Sequence, residues 1–397
     1  MSARPRATSS ACSARPSEPV RPASEAERRA LNERFAELCR IPSPSGQEAA
    51  MADRVVRELR EAGLTVVTDE AGNLLARIPP RSDARSVLLC AHLDTVPHDG
   101  PIEPVLVDGG WESAGDTILG ADNKAAVAVL LGVARRVAVE GAPVGLELLF
   151  TVREEVALQG AKAFDAGRLH SDFGYVFDHA SPIGDVVVAS PTYYRFEATF
   201  HGKAAHAGIR PEQGRSAIVA ASRAVTSMRL GRLDEETTAN VAAIAGGVDG
   251  TNVVPERCAI RGEVRSLSDE RAEATVAELV DRCYDAGNDP DCECDVDVTL
   301  ERLFAGYRHR PQAPQVLVAE AALRACGYEP RRIATGGGSD ANALEAAGFP
   351  CTNLANGTER NHEPAERVSC AALEGMLDVA FGLLDAAAEG PEALRAA

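Results

Sequence analysis

The amino-acid sequence predicts an α/β protein with a smaller α+β domain inserted into it. Apolar runs typical of strands buried on both faces alternate with helical patterns over residues 24–185, which indicates a sheet with helices on both faces. The same alternation returns over residues 301–390. Between these stretches, residues 186–300 contain strands with one polar face in the order βαββαβ. The large domain is therefore predicted to be discontinuous.

The large domain begins with two predicted helices. Ser24 and Glu27 form a capping box, and apolar residues follow at helical spacing. A second capping box, formed by Ser45 and Glu48, predicts another helix, which ends at Gly63. The other elements of this domain are strands at 64–67, 74–78, 87–91, 146–152 and 173–177, and helices at 124–139, 316–325 and 370–387.

The insertion begins with an alternating strand. Tyr194, Phe196, Ala198 and Phe200 alternate with polar residues, as in a strand with one face in water. The pattern then predicts helices at 216–228 and 269–286, and strands at 241–245, 260–267 and 296–300. This order is typical of a small antiparallel sheet covered by helices.

Charge and composition narrow the class of function. The chain has 397 residues and a formal net charge of −18, which argues against binding to nucleic acid or to anionic membranes. No apolar run is long enough to span a membrane. These features favour a cytoplasmic enzyme that acts on small molecules or peptides.

The N-terminal segment and the cysteines each leave an alternative open. Residues 1–23 lack the apolar core of a signal peptide, so we expect a disordered extension, with an organelle transit peptide as the alternative. The ten cysteines lack the paired spacing of a structural zinc site, and reduced thiols are expected. Cys292 and Cys294 are close together, which leaves a redox or zinc role as the alternative.

Residues that commonly bind metals follow the predicted strands. One apolar run ends in Glu154 and Glu155, and adjacent buried carboxylates are costly unless a cation compensates them. Singly, each candidate has an ordinary alternative; Asp122, for example, suits a helix N-cap. Together at the strand ends of an α/β sheet they indicate a metal site. The further candidates are His92, Asp94, Asp122, Asp178 and His362.

The spacing within this set predicts separate roles. Asp94 lies two residues after His92 in an extended segment, so both face the same side, and the carboxylate can accept a hydrogen bond from the second imidazole nitrogen. One member of the pair Glu154 and Glu155 would hold a metal while its neighbour moves a proton. This combination is typical of a hydrolase.

Five segments carry a family resemblance: 91–97 (AHLDTVP), 120–124 (GADNK), 202–208 (GKAAHAG), 251–255 (TNVVP) and 336–342 (GGGSDAN). They resemble the peptidase T-like branch of the dinuclear-zinc metallopeptidase family, which also contains glutamate carboxypeptidase and aminoacylase. The resemblance implies a zinc-exopeptidase-like catalytic domain at 24–185 and 301–390, with a mixed sheet between helices. It implies that the insertion at 186–300 is a dimerisation lid, so a homodimer is expected.

The resemblance also assigns roles to single residues. Glu154 would be the general base for a water held between two cations, and Asp94 would orient His92. The expected cofactor is two Zn²⁺ per subunit, with Co²⁺ or Mn²⁺ as possible substitutes. The implied ligands are His92, Asp122 and Asp178 for one cation, and Asp122, Glu155 and His362 for the other.

Further residues are implied to contact the substrate. His206 would reach the active site of a neighbouring subunit and support the oxyanion, and Asn252 and Arg265 would bind substrate. Gly337 and Gly338 would let the backbone approach the substrate closely. From the sequence alone, His206 also suits a surface turn and Arg265 a solvated strand face.

The function that the resemblance favours is an aminopeptidase that removes the N-terminal residue of tripeptides or similar short peptides. In the family, aspartate at the position of Asp178 accompanies aminopeptidases, whereas glutamate accompanies carboxypeptidases and deacylases. An N-acyl amino acid deacylase or a carboxypeptidase with the same metal site is the alternative. A non-catalytic dimeric binding protein would lack Glu154 or a ligand, and all of them are present.

Overall fold

The structure is a computed structural model, and it describes residues 21–80 and 85–390. Of the predicted N-terminal extension, 1–23, residues 1–20 lie outside the described residues. The next three residues pack against the protein. Ala23 is buried, and its backbone N–H donates a hydrogen bond to Asp378 Oδ1 at 2.8 Å.

Helices and strands alternate along the described chain as the sequence predicts. The helices are α1 (Glu25–Cys39), α2 (Ala49–Glu61), α3 (Ala121–Glu140), α4 (Gln159–Ala163), α5 (Ala217–Ser227), α6 (Asp269–Gly287), α7 (Pro314–Ala325), α8 (Asp340–Ala346) and α9 (Cys370–Glu389). The strands are β1 (Val66–Thr68), β2 (Leu74–Ile78), β3 (Ser86–His92), β4 (Pro104–Val107), β5 (Gly110–Ser113), β6 (Gly145–Thr151), β7 (Phe173–His179), β8 (Asp185–Ser190), β9 (Thr192–His201), β10 (Gly231–Arg232), β11 (Thr237–Gly246), β12 (Arg257–Ser266), β13 (Asp295–Phe304), β14 (Tyr307–Arg308), β15 (Arg331–Ala334), β16 (Cys351–Ala355), β17 (Thr358–Glu359) and β18 (Arg367–Ser369).

The large domain contains a mixed sheet between helices, so the predicted fold class is confirmed. Its strand order is β1-β2-β6-β3-β7-β16-β8-β14, with β15 paired to β8. The four central strands β6, β3, β7 and β16 are parallel to one another. Their carboxyl ends therefore meet at one edge of the sheet, where open α/β sheets place their sites.

Apolar side chains on the two faces of β3 pack into different cores, as expected for a strand buried on both sides. Val87, Leu89 and Ala91 join the core that also contains residues of α1, α2, α3, α7 and α9. Leu88 and Cys90 join a second core with residues of α8. No helix within the described ranges is both long and apolar enough to span a membrane.

The insertion folds as a five-stranded antiparallel sheet with the order β10-β11-β12-β9-β13. Helices α5 and α6 supply alanine, valine and leucine side chains to the core on one of its faces. The predicted insertion starts at residue 186, but β8 at that position pairs within the large sheet. We therefore propose that the inserted domain extends from about residue 191 to about residue 305.

The predicted capping box at Ser45 and Glu48 is wrong, and α2 begins at Ala49, three residues later than a Ser45 cap implies. Glu48 occupies the N-cap position without a side-chain capping bond. The Ser45 hydroxyl donates instead to Asp94 Oδ2 at 2.6 Å. By contrast, Ser24 and Glu27 form the capping box predicted for α1.

Candidate metal centre

Ends of secondary-structure elements bring the predicted ligands together. His92 ends β3, Glu154 and Glu155 follow β6, and Asp178 lies near the end of β7. Because these strands are parallel and adjacent, the three positions share one edge of the sheet. Two further residues arrive from outside the sheet. Asp122 lies at the start of α3, and His362 lies in the loop between β17 and β18.

Asp122 directs one carboxylate oxygen to each of two ligand groups. Its Oδ1 lies 3.1 Å from His92 Nε2, which is also 3.3 Å from Asp178 Oδ1. Its Oδ2 lies 3.2 Å from His362 Nε2, which is 3.0 Å from Glu155 Oε1. Asp122 is thus placed as a bridge, and its side chain makes no N-cap bond to α3.

The donor set fits two divalent cations. Within each group, one histidine nitrogen and two carboxylate oxygens lie within 4.8 Å of one another, close enough to surround one ion. Histidine with carboxylate ligands suits zinc, and also cobalt or manganese. The carboxylate side chains of Asp178 and Glu155 are only 6% and 8% exposed, so their charge needs compensation inside the protein.

The pKa values of the acidic groups reflect this crowding. Burial raises the pKa of Glu154 and of Asp178 well above their ordinary values, and neighbouring carboxylates raise both further. Burial also raises the pKa of Glu155. Burial acts on Asp122 in the same direction, but hydrogen bonds from His362 and His92 hold its pKa below the ordinary value. Asp122 therefore stays charged between the two groups.

The same carboxylates shift the pKa values of the two histidines. Hydrogen bonds to Asp122 and Glu155 raise the pKa of His362 to about 10. Burial alone would lower the pKa of His92, but Asp178 and Asp122 raise it well above its ordinary value. The cluster therefore attracts positive charge, either as protons on imidazole or as bound cations.

Asp94 supports the centre mainly through backbone groups. Its Oδ1 accepts a hydrogen bond from Glu154 N at 2.9 Å, and its Oδ2 accepts one from Glu155 N at 3.2 Å. His92 Nδ1 lies 3.0 Å from the Asp94 backbone oxygen and 3.5 Å from its carboxylate. The sequence predicted that the carboxylate orients His92, whereas the shorter contact comes from the backbone.

Sequence reasoning missed several supporting residues. Glu366 Oε2 accepts from the backbone N–H groups of Leu119 and Gly120 at 2.9 and 2.7 Å, and Oε1 accepts from Asp122 N at 2.8 Å. Asn361 Nδ2 donates to Asp122 Oδ2 at 2.9 Å. Both residues lie within four positions of His362, and this closeness in sequence was the signal that could have identified them.

Two buried polar residues from other segments also reach the centre. Asn123 Nδ2 donates to Asp178 Oδ1 at 3.3 Å. Asp340 is fully buried and accepts a hydrogen bond from the Thr151 hydroxyl, and burial raises its pKa to about 6. Asp340 was visible in the sequence only as part of the glycine-rich segment 336–342.

The structure brings His206 and Asn252 together in the inserted domain. Ala207 N donates to Asn252 O at 2.9 Å, and His206 pairs with Val253 across an isolated bridge. Both side chains are exposed. Among the described residues, no hydrogen bond or ion pair joins either side chain to the metal cluster of the same subunit.

Arg265 links the inserted sheet to the glycine-rich segment. Its Nη1 donates to Gly336 O at 3.3 Å, its Nε donates to Glu263 Oε1 at 3.1 Å, and its guanidinium lies 4.0 Å from the centre of the Tyr193 ring. Part of its hydrogen-bonding capacity is therefore already used within the chain, and the rest remains for a substrate.

The two predicted substrate-contact glycines differ. A Cβ atom at Gly338 would lie 2.3 Å from the Phe304 ring, so internal packing explains glycine there without any substrate. A Cβ at Gly337 would meet only Thr335 Oγ1, at 3.7 Å. Packing thus gives no reason for glycine at position 337.

Family models match both parts of the chain. Residues 73–179 match a model described as peptidase family M28, and residues 189–289 match one described as a peptidase dimerisation domain. A catalytic part with an attached dimerisation domain defines the class as metallopeptidases.

Similar proteins specify the family. The chain is 34% identical to the uncharacterized protein YqjE of Bacillus subtilis (strain 168), over 91% of this chain and 99% of that protein. It is similar to the crystal structure of aminopeptidase PepT from Bacillus cereus ATCC 10987 (33% identity, TM-score 0.83) and to that of a tripeptidase from Staphylococcus aureus subsp. aureus Mu50 (31%, 0.87). Each match covers 91% of this chain and 99% of the other. The chain belongs to the peptidase T-like group of the M20 metallopeptidase family.

Proposed function

We propose that this protein is a two-metal aminopeptidase that removes the N-terminal residue from tripeptides and similar short peptides. The observation that carries this proposal is the division of the Asp122 oxygens between two histidine–carboxylate groups, with Glu154 beside them. Similarity to an aminopeptidase and to a tripeptidase over nearly the whole chain supports the substrate class.

The ligand groups would hold two divalent cations, with zinc favoured by the donor set. When bound, such ions polarise a peptide carbonyl and lower the pKa of a water molecule toward about 7. His92, Asp122 and Asp178 would hold one ion, and Asp122, Glu155 and His362 would hold the other.

Glu154 is placed to move the proton. Its side chain is buried, and its carboxylate accepts no hydrogen bond from any other residue of the described chain. Because burial raises its pKa, the carboxylate is a stronger base than an exposed glutamate. It would take a proton from the attacking water and pass it to the amine that leaves.

Residues of the inserted domain would complete the substrate site. Arg265 would pair with a peptide carboxylate, Asn252 would bind the substrate, and His206 from the other subunit of a homodimer would support the oxyanion. Gly337 would lie against the substrate backbone. A cytoplasmic location would supply short peptides as substrates.

The test is amide hydrolysis by purified protein on a matched panel. The panel contains a free tripeptide, the same tripeptide with an acetylated N-terminus, and the corresponding N-acetyl amino acid. Each is assayed with added Zn²⁺, with a chelator, and with the Glu154→Gln variant, which excludes a contaminating peptidase. Chromatography of the products identifies which residue is released.

The outcomes separate the candidate functions. Chelator-sensitive release of the first residue from the free tripeptide alone is expected. Hydrolysis of only the acetylated substrates, or release of the last residue, would replace the proposal with a deacylase or a carboxypeptidase on the same site. Binding of peptides without hydrolysis at any metal concentration would favour the non-catalytic dimeric binding protein.

A further inference from the structure

Side-chain oxygens hold four consecutive backbone N–H groups just beyond β6. The N–H of Val152 donates to Asn73 Oδ1 at 3.2 Å, and that of Arg153 donates to Glu48 Oε1 at 3.1 Å. The N–H groups of the next two residues both donate to Asp94, as described above. Residues 152–155 are therefore fixed by acceptors from three separate segments of the chain.

These hydrogen bonds help to direct the side chains of Glu154 and Glu155 to the same site. Neighbouring side chains of an extended strand point to opposite faces of the sheet. Glu154 and Glu155 nevertheless both place an oxygen within 4.8 Å of a His92 ring nitrogen. The chain achieves this with a turn in which Arg153 has a φ of 54°, a left-handed conformation that is unfavourable for a non-glycine residue. Such a conformation persists only where its surroundings enforce it.

Among these acceptors, Glu48 is the one that bonds Arg153, the residue in the left-handed conformation. It occupies the N-cap position of α2, yet its carboxylate does not bond the first turn of that helix. The same atom, Oε1, accepts from Gly46 N at 2.8 Å and from Arg153 N at 3.1 Å. The residue is only 8% exposed. Helix capping therefore does not explain this buried carboxylate, whereas support of Arg153 does.

The turn that carries Glu48 is itself hydrogen-bonded to the segment that follows β3. Thr95 N donates to Ser43 O at 2.9 Å, and Ser45 N donates to Thr95 O at 3.1 Å. The Ser45 hydroxyl also bonds Asp94. One end of the turn thus supports Asp94, which holds the two glutamates, and the other end holds Arg153 directly.

We propose that Glu48 is a positioning residue for the two-metal centre. It fixes the backbone of Arg153 and thereby sets the direction of Glu154, the base, and of Glu155, a ligand. This inference rests on the proposed function for its kinetic consequence, but its effect on metal binding does not depend on the substrate.

Two substitutions at Glu48 separate the hydrogen bond from other effects. In the wild type, one carboxylate oxygen of Glu48 accepts both N–H groups. In Glu48→Gln the single amide oxygen can therefore still accept both. In Glu48→Ala the Arg153 N–H loses its side-chain acceptor. Val55→Ala is the control for lost stability, because Val55 is fully buried in α2, the helix that Glu48 precedes, and its apolar side chain accepts no hydrogen bond from the 152–155 turn.

The variants are compared by thermal unfolding, by calorimetric titration with Zn²⁺, and by tripeptide kinetics. We expect Glu48→Ala to lower kcat at least about tenfold with KM changed less than about twofold, and to weaken binding of one cation about tenfold. Glu48→Gln is expected to stay within about threefold of wild type in both. Val55→Ala should lower the unfolding temperature without changing kcat or metal affinity.

Several results would overturn the positioning role. They are an unchanged metal affinity and kcat in Glu48→Ala, an equal loss in Glu48→Gln, or the same loss in Val55→Ala at a matched drop in unfolding temperature. A wild-type protein without peptidase activity would instead count against the proposed function. In that case the Zn²⁺ titration of the same three variants still decides the role of Glu48.

Discussion

Replacing Asp94 with asparagine tests which half of the metal centre this buried residue supports. The carboxylate accepts from Glu154 N, from Glu155 N and from the Ser45 hydroxyl. An asparagine keeps one acceptor oxygen and turns the other position into a donor. The amide is expected to place its NH₂ group at the Oδ2 position, where Ser45 can rotate and accept, so that only the Glu155 N–H loses its partner.

The magnitude follows from that single loss. A hydrogen bond to a charged group contributes about 1.5–3 kcal/mol, and a loss of about 2 kcal/mol corresponds to roughly 30-fold in a dissociation constant. The loss falls on Glu155, the proposed ligand in the group with His362. His92 keeps its contact with the Asp94 backbone oxygen, which the substitution does not remove.

The assay measures one cation site at a time. In a His362→Ala background, the intact group is His92, Asp122 and Asp178, and Asp94→Asn should change Zn²⁺ affinity less than about threefold. In an Asp178→Ala background, the intact group contains Glu155, and the same substitution should weaken binding roughly 30-fold. The opposite pattern would refute this reasoning and show that Asp94 acts through His92, as its sequence position suggested.

Three other perturbations have defined outcomes. Glu154→Gln should lower kcat about 10²–10⁴-fold while the metal content, measured by atomic absorption, stays unchanged. Burial lowers the pKa of His309 from 6.5 to about 4. As pH drops below 6.5, the unfolded chain therefore binds this proton before the folded chain does, and the contribution of His309 to folding stability decreases. At pH 5 this contribution is lower by about 2 kcal/mol. Urea unfolding of metal-free protein isolates this contribution as a difference: from pH 7 to pH 5, wild type and an exposed-site control, His170→Gln, should each lose about 2 kcal/mol more than His309→Gln. Gly338→Ala should cost about 1–3 kcal/mol in the same assay at pH 7, because its Cβ overlaps Phe304, and no loss would mean that the ring moves freely.

The convergence of the ligands could be predicted because it depends on rules that act along the chain. Apolar runs mark the parallel strands, and the carboxyl ends of such strands meet at one edge. His92 and Asp178 follow two such runs directly, and Glu155 follows a third by three residues. For Asp122 and His362 no periodic pattern was available, and their assignment depended on the family resemblance.

The supporting hydrogen bonds could not be predicted, for a physical reason. Every residue except proline carries the same backbone N–H, so an acceptor such as Glu48 or Glu366 leaves no pattern at the residue it supports. The spacing of Ser45 and Glu48 matched a capping box because that motif requires only two residue types three positions apart. Both side chains instead bond groups from distant segments, Asp94 and Arg153, and only the folded chain brings those groups near.

The separation between ligands and their supports explains how a crowded acidic site remains ordered. Asp94 and Glu48 hold the turn before Glu155, and Glu366 holds the turn before Asp122. These bonds join protein groups to one another and involve no cation, so they fix the two loops independently of metal binding. The free energy of cation binding then acts mainly against the mutual repulsion of the carboxylates, since little of it is needed to order the loops. The proposed base, Glu154, keeps its direction for the same reason, because it shares the Asp94 support with Glu155.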